Sequence, residues 1–151
     1  MSRLLLFGYG NPGRGDDALG PVFIEQIRQL NLANIVCQDD MQLQIEHVTD
    51  LADCDQVLFI DADPSCHEPF DISRLVAEKD SSYTSHAVTP SALLYGYHQV
   101  YKSKPPPAFL LRIRGYKFSL GDTLSNQASI NLQAAIKLIS KMCLHGNLET
   151  P

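Results

Sequence analysis

The chain has 151 residues, 44% of them hydrophobic and 19% charged, and 12 Lys+Arg against 17 Asp+Glu give a formal charge of −5. That is the size of one ordinary domain, long enough to bury roughly two-thirds of its unfolded surface. No apolar run approaches the ~20 residues a membrane span needs, and an acidic balance without Lys/Arg blocks argues against nucleic acid and anionic membranes as partners.

In chain order, Leu4-Leu5-Leu6-Phe7 is a continuous apolar run stopped by Gly8, which suits a strand buried on both faces. It runs straight into glycines without a cleavage-site pattern, so it does not read as a signal peptide. Leu19, Phe23, Ile27 and Leu30 then recur at helical spacing, with Pro21 tolerable near the first turn. Ile35–Cys37 is a short second strand candidate, and Ile45–Leu51 a short helix. Val57-Leu58-Phe59-Ile60 is a further buried strand that meets Asp61-Ala62-Asp63-Pro64, and Ile72–Ala77 reads as an edge strand. Thr89 as N-cap and Pro90 in the first turn open a helix to about Val100. Phe109–Ile113 is the next strand. From Ser125 to about Leu144 a helix carries Ala128, Leu132, Ile136, Ile139 and Cys143 on one stripe. There are no repeats, and Pro105-Pro106-Pro107 is too short for a linker, so residues 1–151 read as a single domain. The alternation implies an α/β fold, a three-layer sandwich whose mostly parallel, twisted sheet is flanked by helices on both faces.

Gly8, Gly10 and Gly13 satisfy G-x-G-x-x-G directly after a strand, and Asp39-Asp40 lie beyond the second strand, where a ribose-binding acid belongs. That is one reading: a nucleotide-binding oxidoreductase module for NAD(P) or flavin. Electrostatics oppose it. Pro12 removes one N–H donor, and Asp16 and Asp17 stand where the pyrophosphate would sit. Two unit charges ~4 Å apart repel by roughly 4 kcal/mol at an effective dielectric constant near 20. The other reading is that the loop presents acids. One Asp suffices to cap a helix, so the second is left over.

Asp61 follows four apolar residues and belongs at the carboxyl end of a central strand, where open α/β sheets bind ligands. With a strand order of 2-1-3, it faces the loop carrying Asp17. Asp63, before Pro64, reads as turn chemistry. Among the five histidines, His47 and His98 fall in helical patterns and His145 at a helix end. His67, beside Cys66, and His86, just before the Thr89-Pro90 helix start, are nearly tied as ligands. Two carboxylates and one imidazole suit Ni, Zn, Mn or Fe. H-E-x-x-H and G-x-S-x-G are both missing, and adjacent Cys66 and His67 make a poor nucleophile–base couple. Cys37, Cys54, Cys66 and Cys143 form no C-x-x-C pair, as expected of reduced thiols in the cytoplasm.

Three ordered segments together resemble the hydrogenase maturation endopeptidases, nickel-dependent proteases of NiFe-hydrogenase large subunits. They are Gly8-Tyr9-Gly10-Asn11…Gly15-Asp16-Asp17-Ala18-Leu19-Gly20, Phe59-Ile60-Asp61-Ala62, and Ser85-His86 with Thr89-Pro90. The resemblance implies that Asp17, Asp61 and His86 contact nickel, although some members carry Glu at the first position. It implies a cytoplasmic peptidase whose partner is the hydrogenase large-subunit precursor and whose nickel is supplied by that precursor, with no organic cofactor. On this reading Asp17 is expected to take a catalytic part, with Asp16 or a carboxylate beside the metal as the expected base. The stretch Asp39–Glu46, in place of a Gly- and Thr-rich loop, is closer to the branch serving bidirectional, NAD-linked hydrogenases.

Overall fold

The structure is a computed structural model, which describes residues 2–149. Strand β1 (Leu4–Tyr9) is an interior strand of the sheet, with Leu4 to Phe7 at most 1% exposed. It is flanked in parallel by β2 (Ile35–Asp40) and β3 (Gln56–Asp63), and β3 in turn by parallel β5 (Ala108–Arg114). β4 (Phe70–Arg74) pairs antiparallel with β5 at the edge, giving the order β2-β1-β3-β5-β4. The expected α/β sandwich is therefore present.

Each face of the sheet carries its own core. On one, Leu4, Leu6, Leu58, Ile60 and Leu111 pack under α1 (Leu19–Arg28) and α3 (Asn126–His145), through Leu19, Phe23, Ile27, Leu132 and Ile139. On the other, Leu5, Phe7, Val57 and Phe59 pack under α2 (Pro90–Tyr101) and a 3-10 segment at Ile45–Leu51. This two-sided burial is why the first strand is apolar at every position rather than at alternate ones. Thr89 caps α2 by accepting the Ala92 N–H at 3.1 Å, and Ser125 caps α3 through Ala128 N–H at 3.3 Å.

Three boundaries depart from expectation. β3 does not end at Ile60, because Asp61, Ala62 and Asp63 keep pairing with Arg112, Ile113 and Arg114 after β1 has stopped. β2 continues to Asp40, in register with Tyr9. The edge strand begins and ends earlier, at Phe70 and Arg74, while the short helix expected over Ile45–Leu51 is present as a 3-10 segment. In all three places backbone pairing extends or shifts a strand beyond its apolar run. Among the described residues, no helix is long and apolar enough to cross a membrane.

Candidate active site at the carboxyl edge of the sheet

From β1 the chain passes to β2 on one side and to β3 on the other, so the switch point of the sheet lies between β1 and β3. Their register ends at Gly8 opposite Ile60, which leaves Tyr9 and Asp61 at the mouth of the split. The start of α1 is pressed into this split. A Cβ on Gly20 would stand 2.5 Å from the Tyr9 carbonyl oxygen and 2.8 Å from that of Ile60, so no other residue fits there. Gly10, at φ +151°, is held against the Asp17 carbonyl in the same way. The glycines of the signature thus bring helix and strand backbones together.

The loop from Gly10 to Asp17 spends all its N–H groups internally. Gly10 donates to Asp40 O at 3.1 Å, Gly13 to Asn11 Oδ1 at 2.8 Å, and Arg14 to Asn11 O at 3.1 Å. Gly15 donates to Asp122 O at 3.0 Å, Asp16 to Lys117 O at 2.7 Å, and Asp17 to Arg14 O at 3.1 Å. The Asn11 N–H points to Asp17 Oδ2 at 2.7 Å. Pro12 has none. A pyrophosphate would find no free backbone N–H in this loop. The supposed ribose acids are also engaged, Asp39 with Arg28 at 3.2 Å and Asp40 with His47 Nε2 at 3.2 Å. The nucleotide reading of Gly8, Gly10 and Gly13 is corrected on this ground.

Asp61 is half-buried on β3, and burial pushes its carboxyl up to about 7. The charges of Asp17 and Asp63 push the same way, while the Ala62 N–H and the Tyr9 hydroxyl pull it back. Asp17 and Asp61 therefore share one electrostatic environment. Tyr9, whose phenol is itself held well above its ordinary range by burial and by Asp61, was missed by sequence reasoning. The available signal was its place as the last residue of a buried strand, immediately before the acidic loop.

Asp16 and Asp17 face different surroundings. Asp17 is half-buried at the crevice, whereas Asp16 is fully buried. Asp16 accepts from Tyr116 N at 2.7 Å, Lys117 N at 3.0 Å, Ser125 N at 2.7 Å and Ser125 Oγ at 2.8 Å. Burial alone would raise its pKa, but these donors more than offset that and hold it below the usual carboxylate range. An acid with no exposed oxygen and a lowered pKa does not serve as a general base, so the role expected of Asp16 is corrected.

Asp63 is the turn acid expected of it, accepting from Ser65 N at 2.7 Å, Ser65 Oγ at 2.9 Å and Cys66 N at 3.2 Å. His86 is exposed on the segment leading into α2. Val88, two residues on, donates to Leu43 O at 3.0 Å, which ties this segment to the stretch after β2, on the same edge of the sheet. Even so, among the described residues no three His, Cys, Asp or Glu side chains lie close enough to share an ion. Asp17 and Asp61 are brought together; His86 stands on the rim apart from them. His67 is exposed in the loop before β4, lining a cavity with Cys66, Asp71, Arg112 and Arg114. The Cys66 thiol, pushed up by burial and by Asp63, is not an activated nucleophile.

An acidic pair at the switch point of a β2-β1-β3-β5-β4 sheet stands where open α/β sheets bind their ligands. No family model and no curated protein matches the sequence. Solved structures do match. The NiFe-hydrogenase maturation protease HycI from Thermococcus kodakarensis superposes with a TM-score of 0.75 at 21% identity, over 95% of this chain and 93% of that one. The hydrogenase maturating endopeptidase HybD from E. coli gives 0.70 at 17% identity, over 93% and 91%. The hydrogenase 2 maturation peptidase of a Thaumarchaeota archaeon gives 0.66 at 24% identity, over 92% and 96%. At these identities the likeness establishes the fold.

Proposed function

We propose that the protein is a cytoplasmic endopeptidase that recognises nickel in the precursor of a NiFe-hydrogenase large subunit and removes its C-terminal extension. The observation that carries this reading is the electrostatic coupling of Asp17 and Asp61 at the switch point, in a fold shared with proteases that mature hydrogenases. A carboxyl whose ionisation is opposed by burial and by a neighbouring carboxylate forms, with that neighbour, a site that a cation completes. Without a cation, burial and the neighbouring Asp17 favour the protonated form of Asp61; a divalent ion favours the ionised form and expels the proton. The precursor's nickel would thus be felt by Asp17 and Asp61, with His86 supplying an imidazole nitrogen once its segment moves in from the rim.

Asp16 is buried and fully hydrogen-bonded, whereas Asp17 and Asp61 stand at the crevice, so a carboxylate of that pair is the better placed to take a proton from an attacking water. Nickel enters with the substrate, and no organic cofactor is required. The Asp39–Glu46 stretch supports a place nearest the branch serving bidirectional, NAD-linked hydrogenases. The test is processing of nickel-loaded and nickel-free precursor by the purified chain. Cleavage of the loaded form alone is expected, and equal cleavage of both, or of neither, overturns the proposal.

A further inference from the structure

The loop that carries Asp17 does not stand alone. It is zipped to the segment between β5 and α3. Gly121 N–H reaches Gly13 O at 2.8 Å, Gly15 N–H reaches Asp122 O at 3.0 Å, and Asp16 N–H reaches Lys117 O at 2.7 Å. At the middle of this seam sits the Asp16 carboxylate, with Tyr116 N and Lys117 N at 2.7 and 3.0 Å on Oδ2 and Ser125 N at 2.7 Å on Oδ1. Ser125 Oγ gives its proton to Oδ2 at 2.8 Å while accepting the Ala128 N–H at 3.3 Å, so the N-cap of α3 is part of the socket. Room for it exists because residue 115 is glycine; a Cβ there would lie 2.9 Å from Asp16 Cβ.

Every group turned toward Asp16 is a donor, so the socket fits a carboxylate and rejects an amide, whose NH2 would face N–H groups. Asp16 and Asp17 lie in one 3-10 turn, Gly15–Ala18, where successive side chains point about 120° apart. Anchoring the first inward turns the second outward, to where Asp17 Oδ2 takes the Asn11 N–H at 2.7 Å.

We propose that Asp16 is a positioning residue: by locking the β1–α1 loop onto the β5–α3 segment, it sets the direction in which Asp17 presents its carboxylate to the crevice. The metal arm of the test rests on the function proposed above, and the amide arm does not. Titrating Ni2+ into the full chain by calorimetry, Asp16→Asn is expected to weaken binding at least tenfold at a temperature where circular dichroism shows both proteins folded. In the same protein the Asn11 amide is expected to lose at least tenfold in hydrogen-exchange protection, while the β1 amides keep theirs. If Asp16→Asn does not fold, Ser125→Ala removes one donor from the socket and should shift both readouts in the same direction, with Ser125→Thr restoring them. A lowered melting temperature with unchanged Ni2+ affinity and unchanged Asn11 protection would show that Asp16 only supports the fold, and would overturn the proposal. Failure of the wild-type chain to bind Ni2+ would sink the metal reading, and Asn11 protection would then decide the positioning role alone.

Discussion

Asn11 donates its backbone N–H to Asp17 Oδ2 at 2.7 Å, closing the β1–α1 loop on a carboxylate of its own chain. In a phosphate-binding loop that donor would serve the ligand. Here the anion is built in. NAD(P) and flavin are therefore expected to give no heat of binding in calorimetry.

Asp17 has one described hydrogen bond to its side chain, and His86 is exposed, so neither carries much of the fold. Asp17→Asn and His86→Ala are expected to abolish precursor processing while costing no more than about 2 kcal/mol of stability. Urea melts beside the processing assay check this; full cleavage by either variant contradicts their assignment.

The Asp61 carboxyl, raised from 3.8 to about 7, makes a signed prediction for stability. Below pH 4 it is protonated folded and unfolded. As pH rises from about 4 to 7, the unfolded chain releases this proton and the folded one keeps it, so stability falls, levelling off above 7. The loss attributable to this group is at most about 4 kcal/mol. Asp61→Asn removes it, so the variant without metal is expected to lose less stability than wild type between pH 5 and 8. Parallel curves for the two proteins in that window would contradict the shift.

The place of Gly20 against the Tyr9 and Ile60 carbonyls makes Gly20→Ala a test of the split itself. Overpacking of backbone against backbone should cost about 3 kcal/mol, read as a lower urea midpoint. Gly121, whose added Cβ would meet nothing within 4 Å, offers a nearby control, although its φ of +89° makes Gly121→Asn preferable to Gly121→Ala. Equal, small losses in Gly20→Ala and the control would contradict the close approach.

Much of the framework was legible because burial on both faces leaves continuous apolar runs, as in Leu4–Phe7 and Val57–Ile60, and because Thr89 and Ser125 carry recognisable cap chemistry. Asp61 was legible as a polar residue ending such a run. The division of labour between Asp16 and Asp17 was not, since the partners of Asp16 lie 100 or more positions away in Tyr116, Lys117 and Ser125. Tyr9 was hidden because its neighbour Asp61 is on another strand, and pairing across a parallel sheet leaves no local pattern. The strand ends were misjudged for a related reason: Asp61 and Asp63 stay in the ladder opposite Arg112 and Arg114, charged residues that a hydrophobicity pattern discards.

The most direct measurement is a crystal structure of the full chain soaked with Ni2+, with the ion located by its anomalous signal. One ion is expected at the mouth of the β1–β3 split, contacting carboxylate oxygens of Asp17 and Asp61, with the His86 ring drawn in from the rim to complete the set. An ion bound elsewhere, or one that touches neither aspartate, would contradict the proposed site.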